Sequence, residues 1–205
     1  MLGLERYIIE SLQDVKTMKT FKKWFGKSKL KNKDGSPKVM YHGTRAEFNE
    51  FRVNNELGAH FGDEEAANAI LYGSSGKIME VYLRCENPIR VDDMLAFDFP
   101  TLCEYFEEDE PNKLPKEELE KILEFKKEWI AIEFNSPQEI RKSERMEKEG
   151  EMMFVNLFKK MGHDSVVYRN QREGKADSYI IFDPNQVKSI YNEGKFSRKD
   201  NNIYK

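Results

Sequence analysis

The sequence predicts an α+β fold, on three observations. Short apolar runs of strand length stand at 39–41, 77–83, 165–168 and 178–182, bounded by Gly, Pro, Asn or Asp. Other segments carry apolar residues at helical spacing, most clearly Leu119, Ile122, Leu123, Phe125, Trp129 and Ile132, then Phe154, Leu157, Phe158 and Met161. At 205 residues the chain is long enough for one domain with a proper core and short for two.

Taken in order, Leu4, Ile8, Leu12 and Val15 form a helical stripe, expected to pack on the domain or on a partner. Phe21-Lys-Lys-Trp-Phe25 is a second short helix with its aromatics on one face and Gly26 as its C-cap. Residues 31–37 form a turn whose sharpest point is Asp34-Gly35. The first core strand, Val39 to Tyr41, ends in His42-Gly43, and Gly43 lets another backbone or a ligand come close. Phe48 and Phe51 pin the following loop, and the polar residues 52–57 form a cover. In Gly58-Ala-His-Phe-Gly62, neighbours on a strand face opposite ways, so Phe61 turns to the core when His60 does not. Asp63 is an N-cap, with Glu64 and Glu65 in the first turn of a helix to Tyr72 that presents Ala66, Ala67, Ala69 and Ile70 for close packing.

Gly73-Ser-Ser-Gly76 is a turn, Lys77 to Leu83 a strand, and Asn87-Pro88 a turn leading into Ile89-Arg-Val91. Asp92 to Pro137 reads as mostly helical, with Pro115 suited to a first turn and Glu107-Glu-Asp-Glu110 a solvated loop. The charged stretch 137–151 is either a lid or the exposed start of a helix, and the helix through Phe154 ends at Gly162. His163 is read as structural. Ser165 to Tyr168, Ser178 to Phe182 and Gln186 to Tyr191 complete the strands, with the polar loop 169–174 between the first two.

Composition removes several classes. Thirty-four Lys and Arg against 37 Asp and Glu leave a net charge of −3, which argues against a globally basic nucleic-acid binder while allowing a local basic cleft. Cys85 and Cys103 have no metal-type spacing and read as ordinary thiols of a reducing compartment. No apolar run approaches the ~20 residues of a membrane span. The N-terminus lacks a basic stretch followed by a long apolar one, so a secretory signal is not expected. The expectation is a soluble cytoplasmic protein that needs no metal and no membrane.

Tyr41-His-Gly-Thr44 followed by Gly58-Ala-His-Phe-Gly62 resembles the ADP-ribosyltransferase fold of the diphtheria-toxin and poly(ADP-ribose) polymerase type. The order and spacing of Phe21-Lys-Lys-Trp-Phe-Gly26, Asp34-Gly35, Phe48-Asn-Glu-Phe51, Val81-Tyr-Leu-Arg-Cys-Glu-Asn-Pro88 and Asp177-Ser-Tyr-Ile-Ile-Phe-Asp-Pro-Asn-Gln-Val-Lys-Ser189 are similar to the ADP-ribosyltransferase domains of phage and mobile-element polyvalent proteins. The resemblance implies a split, antiparallel-rich sheet forming an NAD cleft. It implies an N-terminal helix and linker over 1–20, then a single domain over 21–205 with a helical insertion at about 92–161. By resemblance, His42 bonds the NAD ribose, Gly43 presents backbone groups to the nicotinamide amide, and Thr44 lines the same wall. Arg45 reaches a phosphate or the adenosine side. His60 stands where the family has a stacking Tyr or Phe, with Phe61 beside it, and Tyr72 falls near a second stacking aromatic.

The family's catalytic Glu normally opens the strand matching Ser178 to Phe182; here that position holds Ser178, which joins the NAD-contacting set. A carboxylate is needed because cleaving the nicotinamide–ribose bond builds positive charge on the ribose. Glu173 in the preceding loop ranks first for this role and Asp177 second. The implied activity is NAD-dependent mono-ADP-ribosyl transfer to a macromolecular acceptor, protein or nucleic acid, in the cytoplasm of an infected bacterium if the chain is phage-encoded, with other phage or host proteins as further partners. Three alternatives stand beside it. One is an NAD glycohydrolase. Another is a metal-independent ribonuclease using His42 and His60 as acid and base, with Lys77 or Lys188 at the phosphate. The last is a catalytically silent phage-derived binding module.

Overall fold

A computed structural model describes residues 18–53, 57–72, 75–192 and 194–205. The expected stripe Leu4, Ile8, Leu12 and Val15 lies outside the described residues, as do parts of the 52–57 cover and the 73–76 turn. The chain folds as α+β, with seven strands in two sheets among the described residues. β1 (Met40–Thr44), β3 (Lys77–Leu83) and β7 (Val187–Ser189) make an antiparallel sheet in that order. The second sheet runs β2 (Ala59–Phe61), β6 (Asp177–Ile181), β5 (Ser165–Arg169), β4 (Pro88–Val91). Its pairs are antiparallel except for β4 beside β5, which is parallel.

That one parallel pair accounts for the helices between β4 and β5. A hairpin turn cannot join parallel strands, so the chain from β4 to β5 must cross over. The crossover carries α3 (Phe99–Glu104), a π-helical turn at Tyr105–Asp109, α4 (Lys116–Ile130) and α5 (Pro137–Lys160). Helix does not begin at Asp92: residues 92–98 form a loop that returns to the strand ends. The acidic run 107–110 largely belongs to the π-helical turn, which the buried Tyr105 and Phe106 anchor, and not to a free loop. The 137–151 stretch is the first half of α5. A reciprocal cap starts it: the Ser136 Oγ accepts from the Glu139 N–H at 3.3 Å and donates to the Glu139 carboxylate at 2.8 Å.

Three apolar clusters hold the fold. The largest packs Phe99, Leu102 and Phe106 with Phe154 and Phe158 of α5 against Val166 and Ile180 of the second sheet. The next joins the two sheets through Met40, Val81 and Val187 on one side and Phe61 and Ile181 on the other. The third docks α1 (Lys19–Phe25) through Phe21, Trp24 and Phe25 on Tyr82, Ile190 and Phe196, so the N-terminal aromatic stripe is core. The Trp24 indole N–H donates to the Asn185 carbonyl at 3.0 Å. Each such buried ring contributes roughly 1.5–3 kcal/mol. Both cysteines are free and buried, and burial pushes the Cys103 thiol up to about 12. Among the described residues no helix is long and apolar enough to cross a membrane.

Among the described residues the sheets meet at one point of direct backbone pairing. Tyr41 of β1 and Gly62, just past β2, exchange two N–H···O bonds of 3.0 Å each. The helix that follows, α2 (Glu64–Ile70), is capped by Asp63, whose Oδ1 accepts from the Ala66 N–H at 2.9 Å, and its buried Ala66 and Ala67 pack towards β1.

Candidate active site

A cleft of about 700 Å³ opens beside that junction, inside the range of about 300–1,000 Å³ typical of small-molecule and cofactor pockets. Its walls come from β1, the 46–52 loop, the segment from Gly58 into α2, the 93–97 loop, and the facing ends of β5 and β6 with the loop between them. Half-buried His42 lies in one wall among Phe48, Phe51 and Phe61, with ring centroids 6.3, 5.0 and 5.4 Å away. Its Nδ1 is 2.8 Å from the His60 carbonyl oxygen. A carbonyl only accepts, so Nδ1 carries the hydrogen and Nε2 is the acceptor of the neutral ring. Burial lowers the His42 pKa below the ordinary value, the His60 carbonyl bond opposes this, and the nearby His60 ring adds to it. The neutral acceptor form therefore prevails at pH 7.

The other wall is a row of rings. His60 meets Phe97 edge-on at 5.7 Å, and Phe97 packs on Tyr168 at 4.7 Å. Tyr168 and Asn170 are two apart on an extended segment and face the cleft together, beside Ser178, which pairs with Tyr168 across the sheet. Asn170, buried, sits at the turn from β5. Its backbone N–H donates to the Ala176 carbonyl at 3.0 Å, and its Oδ1 accepts from the N–H groups of Arg172 and Glu173 at 3.0 Å and of Gly174 at 3.4 Å. Its Nδ2 donates to the Glu173 Oε2 at 2.9 Å and to the Ser178 Oγ at 3.2 Å. The loop lies against the start of α2, where a Cβ on Gly174 would meet the Asp63 carboxylate.

The structure brings His42, Gly43, His60, Phe61, Glu173 and Ser178 together around this cleft. Gly43 is required by the scaffold, since a Cβ there would collide with the Ala67 carbonyl of α2. Phe61 is buried in the inter-sheet core and reaches the cleft beside His42. Thr44, Arg45, Tyr72 and Asp177 do not line it. The Thr44 hydroxyl accepts from the Ala46 N–H at 3.1 Å within a turn, and Arg45 is exposed. Tyr72 is 91% exposed just beyond the end of α2. Asp177, the first residue of β6, is engaged by the Arg90 guanidinium at 2.5 and 3.3 Å. The alternation of side chains explains this: Ser178 faces the cleft, so its neighbour Asp177 faces away.

Sequence reasoning missed Arg52, Arg172, Asp93, Phe97, Tyr168 and Asn170, all of which line the cleft. For Asn170 a period-two signal from Tyr168 existed; the others stand on loops or required the fold. Other cleft carboxylates have structural partners. Asp93 accepts from the Leu95 and Gln171 N–H groups at 3.1 and 2.9 Å and so ties two wall loops together. Glu47 pairs with Lys77, and Glu50 accepts from the Asn201 amide. Neither Lys77 nor Lys188 lines the cleft, so the ribonuclease reading lacks its phosphate lysine there. Among the described residues no group of His, Cys, Asp and Glu is arranged to hold a metal ion.

A family model described as ADP-ribosyltransferase in polyvalent proteins matches residues 32–196. No curated protein and no solved structure matches the chain.

Proposed function

The chain belongs to the ADP-ribosyltransferase family of polyvalent proteins, and from that premise we propose that it transfers a single ADP-ribose unit from NAD to a macromolecular acceptor. The NAD site proposed is the cleft between the two sheets, taken as the family's split-sheet cleft with the β4-to-β5 helices as an insertion. One observation carries the reading: His42 and Glu173, distant in the chain, line the same cleft.

The roles follow from the chemistry of each group. The His42 Nε2 accepts a hydrogen bond from a ribose hydroxyl, because Nδ1 is committed to the His60 carbonyl. The rings of His60 and Phe97 form the wall against which the nicotinamide lies. Arg52 and Arg172, whose guanidinium groups belong to residues lining the cleft, suit the pyrophosphate. Glu173 stabilises the positive charge that develops on the ribose as the bond to nicotinamide breaks. The bonding electrons leave with the ring nitrogen, nicotinamide departs neutral, and no general acid is needed. A lone pair of the acceptor forms the new bond at the same carbon, and the acceptor's proton passes to solvent. Transfer of one unit is favoured because Ser178 stands where chain-extending polymerases carry Glu. The acceptor is a protein or nucleic acid, and the proposed setting is the cytoplasm of a bacterial host.

The test is nicotinamide release from labelled NAD by wild type, His42→Ala and Glu173→Gln, with and without bacterial lysate. Release and label transfer by wild type, lost in both variants, is the expected result. Protease or nuclease sensitivity of the label identifies the acceptor class. Release that lysate does not change, with no label transferred, would make the protein a glycohydrolase. Absence of release in every condition would overturn the enzyme reading in favour of a binding module.

A further inference from the structure

We infer that Asn170 is a positioning residue whose carboxamide divides two tasks: Oδ1 holds the loop after β5, and Nδ2 aims the Glu173 carboxylate into the cleft. The inference rests on the reading of Glu173 given above.

Asn170 is 3% exposed, so its polar atoms depend on protein partners. The orientation of the amide is determined by those partners. Three backbone N–H groups converge on Oδ1, and a carboxylate and a hydroxyl oxygen receive Nδ2. Turning the amide over would set NH₂ against three donors and oxygen against a carboxylate. The bond from the Asn170 N–H to the Ala176 carbonyl closes the loop at its base, next to the last β5–β6 pair, Arg169 and Asp177. A Glu in such a loop has many rotamers. The bond from Nδ2 to Oε2 selects one, and Ser178 holds Nδ2 from the other side. Asparagine alone of the short side chains supplies both an acceptor and two donors from one planar group.

Asn170→Asp separates the two tasks. It keeps the oxygen that holds the loop and replaces the NH₂ that holds Glu173 with a second carboxylate oxygen. The expected result is a fall in kcat of about 10–100-fold, since small displacements of a reacting group cost that much. KM for NAD should stay within about twofold, and the acid limb of the pH–rate profile should move to higher pH, because like charges disfavour ionisation. Asn170→Ala loses both tasks and serves as the loop-loss control. Independently of turnover, the side-chain amide signal of Asn170 in an ¹⁵N spectrum should titrate with pH in wild type and cease to do so in Glu173→Gln. Wild-type kcat and an unmoved profile in Asn170→Asp, while Glu173→Gln is inactive, would overturn the positioning role alone. An amide signal that is identical in wild type and Glu173→Gln at every pH would overturn it whatever the activity. A titrating amide in a wild type that releases no nicotinamide would overturn the functional reading and, with it, the catalytic sense of this inference.

Discussion

His42 shows how one hydrogen bond selects a chemical state. The His60 carbonyl requires a hydrogen on Nδ1, and burial keeps the ring neutral. Protonation would turn Nε2 from acceptor into donor and would place a positive charge beside the ribose on which positive charge is proposed to develop. Turnover of NAD should therefore fall as the pH drops below the ordinary histidine value of about 6.5, measured by nicotinamide release between pH 5 and 8. The same shift has a stability consequence. Because the folded-state pKa is lowered, the unfolded chain binds the proton more readily, so the stability present above the ordinary value is lost as pH falls through the folded one. Urea midpoints of wild type should fall more steeply below about pH 6.5 than those of His42→Gln; parallel curves would show that His42 is not held neutral by the fold.

At the scale of elements, α2 and the C-terminal segment brace the cleft. α2 packs its small residues so tightly on β1 that Gly43 faces the Ala67 carbonyl, a backbone atom that cannot rotate away. Gly43→Ala should cost at least the ~1–3 kcal/mol of an overpacked core, read from the shift in urea midpoint, and should reduce NAD turnover because the adjoining His42 moves with the strand. On the other side, Lys188 of β7 is fully buried and donates to the carbonyls of Asp200 and Asn202 at 2.7 and 2.8 Å. This holds a C-terminal strap whose Ile203 N–H bonds Asn49 at 2.9 Å, within the wall loop carrying Phe48 and Phe51. Burial pushes the Lys188 ammonium down from 10.5 to about 8. The unfolded chain therefore holds more protons across the window from about 8 to 10.5, and stability contributed by this residue should rise with pH there. The slope should be missing from Lys188→Met when the two stability–pH curves are compared; equal slopes would sink the assignment.

For the whole molecule, the two sheets share an apolar core but exchange backbone bonds directly at Tyr41 and Gly62, beside the cleft. A ligand in that cleft touches both sheets and both loop systems, so it should stabilise them as a unit. Saturating NAD, at about 100 times its Kd, should add about 2.7 kcal/mol to unfolding stability. A thermal-shift titration should display this in wild type and show it weakened in an Arg52→Ala/Arg172→Ala double variant, which removes the proposed pyrophosphate contacts. A shift of equal size in that variant would move the phosphates elsewhere.

Local chemistry made much of this molecule legible from sequence. Period two and period 3.6 marked the strands and core helices, Asp63 announced the α2 cap, and His42 and Glu173, both put forward on the family resemblance, line one cleft. These signals act between near neighbours, where side-chain spacing and backbone capping decide the outcome. The course of residues 92–98, the exclusion of Thr44, Arg45, Tyr72 and Asp177 from the cleft, and the entry of Phe97, Arg52, Arg172 and Asn170 were decided only by the tertiary structure. The loop course depends on a parallel β4–β5 pair formed by segments far apart in the chain. Asp177 is turned out by strand alternation and claimed by Arg90 on β4, and Glu173 is aimed by Asn170 only once β5 and β6 have paired. The sequence by itself determined which groups could do the chemistry; strand pairing between distant segments determined which of them share a cleft, because direction and distance are properties of the assembled sheet and not of the neighbours along the chain.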